Sequence, residues 1–323
     1  EKYVVKRFQR MKDSAQRYIA KQGQGMDSAP AYELDRPATY ALSRQVFLHL
    51  LGVVYFIAFA SYFVQFEGLY GAEGLIPLRE QLRSASKLSF AQYPTALVWH
   101  RILDIDPYLW CNLLVLCGML LSAIAAAGYG SAPVLAGRWI LYLSLANAGD
   151  VFLFFQWDSL LLEAGFLAIF LAPVQGRPDS SSHPPMLAVW MLRFLLFKLM
   201  LMSGVVKVTS NDRAWLDMTA LSYHFASQPI PTPLAWYFRQ LPPLVLQLGV
   251  AYTFLVELPG SFLILAPFRA VRHPVAAFQA TLQLLIMATG NYGFFNLLTL
   301  VLCVPLLDDS FWGALLLPSP EDE

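Results

Sequence analysis

Apolar residues in this chain gather into long runs instead of alternating with polar ones. The runs occupy 45–64, 109–127, 134–153, 156–173, 186–206, 244–266, 275–290 and 294–307. A helix needs about 20 predominantly apolar residues to cross the hydrocarbon of a bilayer. The pattern therefore predicts an all-α polytopic membrane helix bundle of about eight transmembrane helices. Gly149, Pro259 and Pro305 interrupt three of the runs, which leaves room for one re-entrant pair. Two longer connections, 65–108 and 207–243, are rich in aromatic, proline and charged residues, and the alternation of spans puts both on the same side.

Composition agrees with lipid as the solvent. Of 323 residues, 57% are hydrophobic and 14% charged, with a mean hydropathy of +0.51, whereas soluble domains carry roughly 25% charged residues. The 22 basic and 22 acidic side chains balance, so no nucleic-acid partner is indicated. Their distribution is uneven, with nine Lys or Arg against five acids in residues 1–44. Basic residues before a first span stay cytosolic, which places the N-terminus in the cytosol and Arg138, Arg177, Arg269 and Arg272 in cytosolic loops. The lipid bilayer is thus the first expected partner. Segment 1–44 is a basic cytosolic region in which Val4, Phe8, Met11, Ala15 and Ile19 draw one apolar stripe. It reads either as a helix lying on an anionic membrane face or as a solvated leader. Met26 reads as an alternative start, which would make 1–25 foreign to the natural protein. Residues 45–309 form the transmembrane domain and 310–323 a tail.

Seven tryptophans, Trp99, Trp110, Trp139, Trp157, Trp215, Trp236 and Trp312, fall near the ends of the expected helices, where an indole favours the interface. Cys111, Cys117 and Cys303 form no CxxC and read as small packing residues. No metal motif, no cofactor and no N-x-S/T acceptor is indicated.

The polar groups inside the runs are the informative minority, because a charge in the hydrocarbon costs several kcal/mol unless it is paired or faces a cavity. They are Asp150, Asp158, Glu163, Arg193, Lys198, Lys207 and Glu257. Asp158 or Ser159 reads as a helix cap. Glu163 needs a partner, and Arg193 or Lys198 is expected to form a buried interhelical ion pair with it. Arg193 and Lys207 are 14 residues apart and share one helix face to within about 40°, while Lys198 points elsewhere. Two readings of Lys207 stay open. It snorkels to water from the end of its span, or burial makes it a deprotonated base in a catalytic site with His224 and Glu257.

Four stretches carry a resemblance: 154–167 (FFQWDSLLLEAGFL), 68–77 (GLYGAEGLIP), 202–210 (MSGVVKVTS) with Trp215, and 289–300 (TGNYGFFNLLTL). They resemble the lipase maturation factor family over most of 45–309, and of its two branches the match is nearer the second. The residues that carry the likeness are Trp157, Asp158, Glu163, Gly165, Gly204, Lys207, Trp215, Gly290, Asn291 and Asn296. The resemblance implies a multi-pass protein of the endoplasmic reticulum membrane that assists the folding, assembly and maturation of secreted lipases such as lipoprotein lipase, which become expected clients. It also implies that family members continue into a further span and a lumenal domain beyond 318–323.

The stretch Ser203–Lys207 followed by Trp215 also resembles, more distantly, the membrane domain of the vitamin K-dependent gamma-carboxylase, where the matching lysine is the catalytic base. An intramembrane enzyme built on Lys207 is therefore the alternative to a folding factor without chemistry of its own. A transporter is a third class, weakened because no repeat of broken helices is visible.

Overall fold

The computed structural model describes residues 38–85, 92–178 and 182–316. The basic leader with its apolar stripe, Met26 and the tail beyond 316 lie outside the described residues. Among the described residues the chain is helical throughout, with one isolated bridge between Pro231 and Gly290, so the all-α class holds. The chain divides into two compact units, one built from 48–177 with 292–301, the other from residues up to 47, 178–291 and 302 onward.

The first of these contains α1 (Ala41–Tyr70) from Leu48 onward, α2 (Leu78–Ala85), α3 (Pro107–Ala126), α4 (Ala132–Ala148) and α5 (Gln156–Leu171). The start of α3 is fixed by Asp106, whose carboxylate accepts from the N–H groups of Tyr108 (3.0 Å) and Leu109 (3.2 Å), with Pro107 in the first turn. Helices approach closely where side chains are missing, as is usual between membrane helices. A Cβ on Gly52 would sit 2.5 Å from the Ala126 nitrogen, and one on Gly118 would sit 2.4 Å from the Phe59 ring. Tyr55, Phe59 and Tyr142 form an edge-to-face cluster with ring centroids 5.4 and 5.7 Å from Tyr142.

The other unit holds α6 (Met186–Thr209), α7 (Arg213–Leu216), α8 (Ala220–Ser227), α9 (Pro233–Arg239), α10 (Pro243–Glu257), α11 (Pro259–Leu263) and α12 (Arg269–Thr289). Pro259 breaks the run at Leu258, so α10 and α11 are two segments of one apolar stretch. After α13 (Phe295–Cys303) comes α14 (Asp309–Leu316), and Asp309 joins the start of α14 to the start of α1. Its carboxylate accepts from the N–H groups of Ala41 (2.9 Å), Leu42 (2.8 Å) and Ser43 (3.2 Å), the first turn of α1.

The eight apolar runs are all largely helical, but fewer qualify as spans than expected. Among the described residues, four helices are long and apolar enough to cross a membrane, Ala41–Tyr70, Pro107–Ala126, Met186–Thr209 and Pro243–Leu263, and the pair Phe295–Leu306 and Asp309–Leu315, bent by 107°, makes a fifth if counted as one. The shortfall has physical causes. α4 and α5 have 17 and 16 residues, roughly 25 Å of rise against the ~30 Å of hydrocarbon. α12 is long enough but carries Arg269, Arg272, His273, Gln279 and Gln283. Two expected loop cations are also corrected: Arg138 is a fully buried residue of α4 and Arg272 a buried residue of α12. An apolar run records the environment of side chains, and a helix shielded by its neighbours is as apolar as one facing lipid.

Candidate functional site

Lys207, two residues before the end of α6, is brought to Glu257, the last residue of α10. Its Nζ donates to both carboxylate oxygens at 2.8 Å each and to the Ser203 carbonyl at 3.2 Å. The Lys207 side chain keeps 20% exposure and that of Glu257 only 5%. The approach depends on Gly204, where a Cβ would stand 2.7 Å from Leu258 Cδ2 and 3.1 Å from Glu257 Cβ. With a hydrogen there, α10 comes close enough for the carboxylate to meet the amine. Trp215, in α7, puts its ring 5.1 Å from Nζ and packs edge-on against Phe254 at 5.9 Å. The result is one cation held by a carboxylate, a carbonyl and an aromatic face.

His224, half-buried in α8, lies within electrostatic range of the Lys207 charge. Burial holds its imidazole below the ordinary histidine range, and the Lys207 charge pushes in the same direction. It thus favours the neutral ring beside the cation.

The other expected positions fall elsewhere. Glu163 belongs to the unit with α5, Arg193 and Lys198 to the unit with α6. Arg193 is buried, donates from Nε to the Pro305 carbonyl at 2.9 Å and lies over the rings of Tyr40 (4.9 Å) and Trp190 (5.2 Å). Asp158 is buried, accepts from Tyr142 Oη at 2.6 Å and from the Phe155 N–H at 3.3 Å, and so ends the open N-terminus of α5. Trp157 stacks on Phe155 at 4.5 Å. Gly165 lies under Tyr55, whose Oη bonds the Leu161 carbonyl at 2.9 Å. Gly290 bridges Pro231, Asn291 is exposed and Asn296 is buried in α13.

Sequence reasoning passed over the acid pair Asp308–Asp309. Asp308 is buried among Arg269 (3.5 Å), Arg272 (3.9 Å) and His273 (3.5 Å), while Arg272 also bonds Tyr40 Oη at 2.8 Å. The signal available was two adjacent acids directly after an apolar run, facing a block of basic residues at 269–273.

The comparisons with known proteins follow the same residues. A sequence profile of the lipase maturation factor transmembrane domain matches residues 42–314. Lipase maturation factor 2 of Homo sapiens is 43% identical over 288 residues, covering 84% of this chain and 41% of that protein, and the Xenopus laevis protein of the same name is 43% identical over 278 residues, covering 84% and 39%. Lipase maturation factor 1 of Bos taurus is 32% identical over 317 residues, covering 92% of this chain and 54% of that protein. The chain spans about two fifths of the length of the factor 2 relatives it matches. No solved structure matches. On the profile over 42–314 and these identities, this membrane protein belongs to the lipase maturation factor family.

Proposed function

We propose that the chain is the membrane-embedded part of a multi-pass protein of the endoplasmic reticulum, with its N-terminus in the cytosol, that assists folding and assembly of secreted lipases. The family carries the reading; the observation on the molecule that supports it is an exposed apolar surface outside the candidate spans. Across α8, α9 and their connection, Tyr223 (65% exposed), Ile230 (62%), Leu234 (47%), Trp236 (62%) and Tyr237 (62%) face outward. Aromatic side chains that are exposed together mark contact surfaces for partners. A folding factor needs such a surface to hold an incompletely folded client.

The arrangement at Lys207 favours an anchoring role over an enzymatic one. The Lys207 amine is engaged by three acceptors in bonding range, both Glu257 carboxylate oxygens and the Ser203 carbonyl. A general base needs a free lone pair. We therefore assign Lys207 and Glu257 to locking α6 against α10.

The test is secretion of active lipase from cells lacking the endogenous protein and supplied with full-length protein. Trp236→Ser with Tyr237→Ser should lower secreted activity several-fold while expression stays level, and Lys207→Arg should retain most of it. Full secretion with the aromatic pair replaced would remove the α8–α9 surface from the mechanism. Lost secretion with Lys207→Arg in a normally folded protein would restore the catalytic reading.

A further inference from the structure

The starts of α1, α6 and α12 meet the start of α14 at one level of the unit that contains α6. Asp309 accepts from the first amides of α1. Arg193, near the start of α6, donates to the Pro305 carbonyl at 2.9 Å. Arg272, in the first turn of α12, donates to the Leu306 carbonyl at 3.4 Å and to Tyr40 Oη at 2.8 Å. Asp308 sits among Arg269, Arg272 and His273 at 3.5 to 3.9 Å.

This level is a membrane boundary. α1 and α6 are candidate spans, so their starts mark where the hydrocarbon begins. The ionic cluster says the same, because charge is costly in hydrocarbon, and the side chains of Arg269 and His273 keep 26% and 24% exposure. α14 begins at this level and turns away from the segment before it. The axes of Phe295–Leu306 and Asp309–Leu315 differ by 107°. The earlier segment reaches the boundary from the protein interior, with Leu302, Cys303, Val304 and Leu306 all buried. A turn of that size lays α14 along the boundary.

The circumference of α14 fits that position. Asp309 and Gly313 are buried against the protein. At about 100° per residue, Phe311 and Leu315 share one flank of the outward face, while Ser310 and Ala314 share the other. The first flank is large and apolar, with Leu315 64% and Phe311 36% exposed. Ser310 and Ala314, also exposed, make the second flank small and more polar. An apolar flank toward acyl chains beside a polar one toward headgroups is the pattern of a helix lying in the interface. Phe311 is held at the level of the cluster by its edge-on contact with His273, at 5.9 Å.

We propose that α14 lies in the plane of the membrane, at the headgroup–acyl boundary of the leaflet where α1 begins, with Phe311 and Leu315 set into the lipid. The bent pair is then not a single span in two parts. The proposal rests on the membrane reading and not on lipase maturation, since neither Lys207 nor the α8–α9 surface takes part in it.

The test places a genetically encoded fluorescent amino acid at Phe311, Ala314 or Leu315 of the full-length protein in nanodiscs, and gel filtration checks each against the parent. Lipids brominated just below the headgroup should quench at 311 and at 315 at least about twofold more than lipids brominated near the midplane, with equal ratios at the two sites. Aqueous iodide should quench more strongly at 314 than at 315. The unaltered protein supplies a second reading: lipid with a diazirine just below the headgroup should label peptide 307–316, and lipid with the diazirine at the chain end should label it at least about threefold less. A ratio that moves toward the midplane from 311 to 315, over ~6 Å of helix rise, would make α14 part of a span and overturn the proposal. Iodide quenching at 315 without quenching by brominated lipid would overturn it in favour of a water-facing surface. Protection of 311 and 315 from both quenchers, with no lipid label, would overturn it in favour of a protein cover.

Discussion

Replacing Lys207 with Met keeps the side-chain stem and removes its charge, leaving the Glu257 carboxylate without its cation. Breaking a buried ion pair by deleting one partner costs about 3–5 kcal/mol. Glu257 retains only 5% side-chain exposure while Lys207 retains 20%, so water relieves little at the carboxylate, and the partial access at the lysine end sets the lower limit. The expected loss is about 3 kcal/mol, of which the contact with Trp215 accounts for about 0.5–1 kcal/mol. At roughly 2–3 °C per kcal/mol for a unit of this size, Tm falls by about 6–9 °C. The double variant Lys207→Met with Glu257→Leu removes both charges and should recover about 2 kcal/mol relative to Lys207→Met alone, because no uncompensated charge remains. Thermal unfolding followed by fluorescence-detected gel filtration in one detergent measures all four members of the cycle. If the two single losses add in the double variant, or if Lys207→Met melts within about 1 °C of the parent, the pair does not lock α6 to α10 and the reasoning fails.

Other variants probe the rest of the framework. Gly165→Ala would place a Cβ 1.9 Å from Tyr55 Oη, break the Tyr55–Leu161 bond and lower stability by about 2–3 kcal/mol, read as a lowered Tm. Asp309→Ala removes the acceptor of three N–H groups of α1 and should cost about 2 kcal/mol, with Asp309→Asn losing about half as much; equal stability of Asp309→Ala and the parent would dismiss the cap. His224 has its folded pKa below the unfolded one, so its contribution is fully present above the unfolded value near 6.5 and is lost as pH falls from there through the folded value. Lowering pH from about 7.5 to about 5.5 should thus reduce Tm less in His224→Gln than in the parent, and identical pH profiles would contradict the assignment.

Sequence and structure agree where the physics is local. The helical class and the position of nearly every helix follow from apolar runs bounded by proline and glycine, and the family follows from stretches such as 154–167. The number of spans does not follow, because α4 and α12 are apolar or half-apolar for reasons of packing against neighbours. Lys207 and Glu257 were each identifiable as ionic groups in apolar surroundings, yet their 2.8 Å contact depends on the missing side chain of Gly204, whose effect on the approach of α10 is invisible in a linear pattern. Arg138 marks the limit. Basic residues between apolar runs read as cytosolic, but this guanidinium is fully buried and lies 4.3 Å from the Tyr55 ring, an aromatic partner 83 positions away in the chain that no charge count could supply.

Asp309 ties the order of synthesis to the order of completion. The leading amides of α1 leave the ribosome 266 to 268 residues before their acceptor is made. Throughout translation that turn must rely on water or headgroups for its hydrogen bonds, and it closes only when the distal carboxylate arrives. Contacts between residues so far apart in sequence form more slowly than the local contacts within each helix. A nascent molecule halted before that aspartate would leave the three amides that open α1 without their carboxylate acceptor.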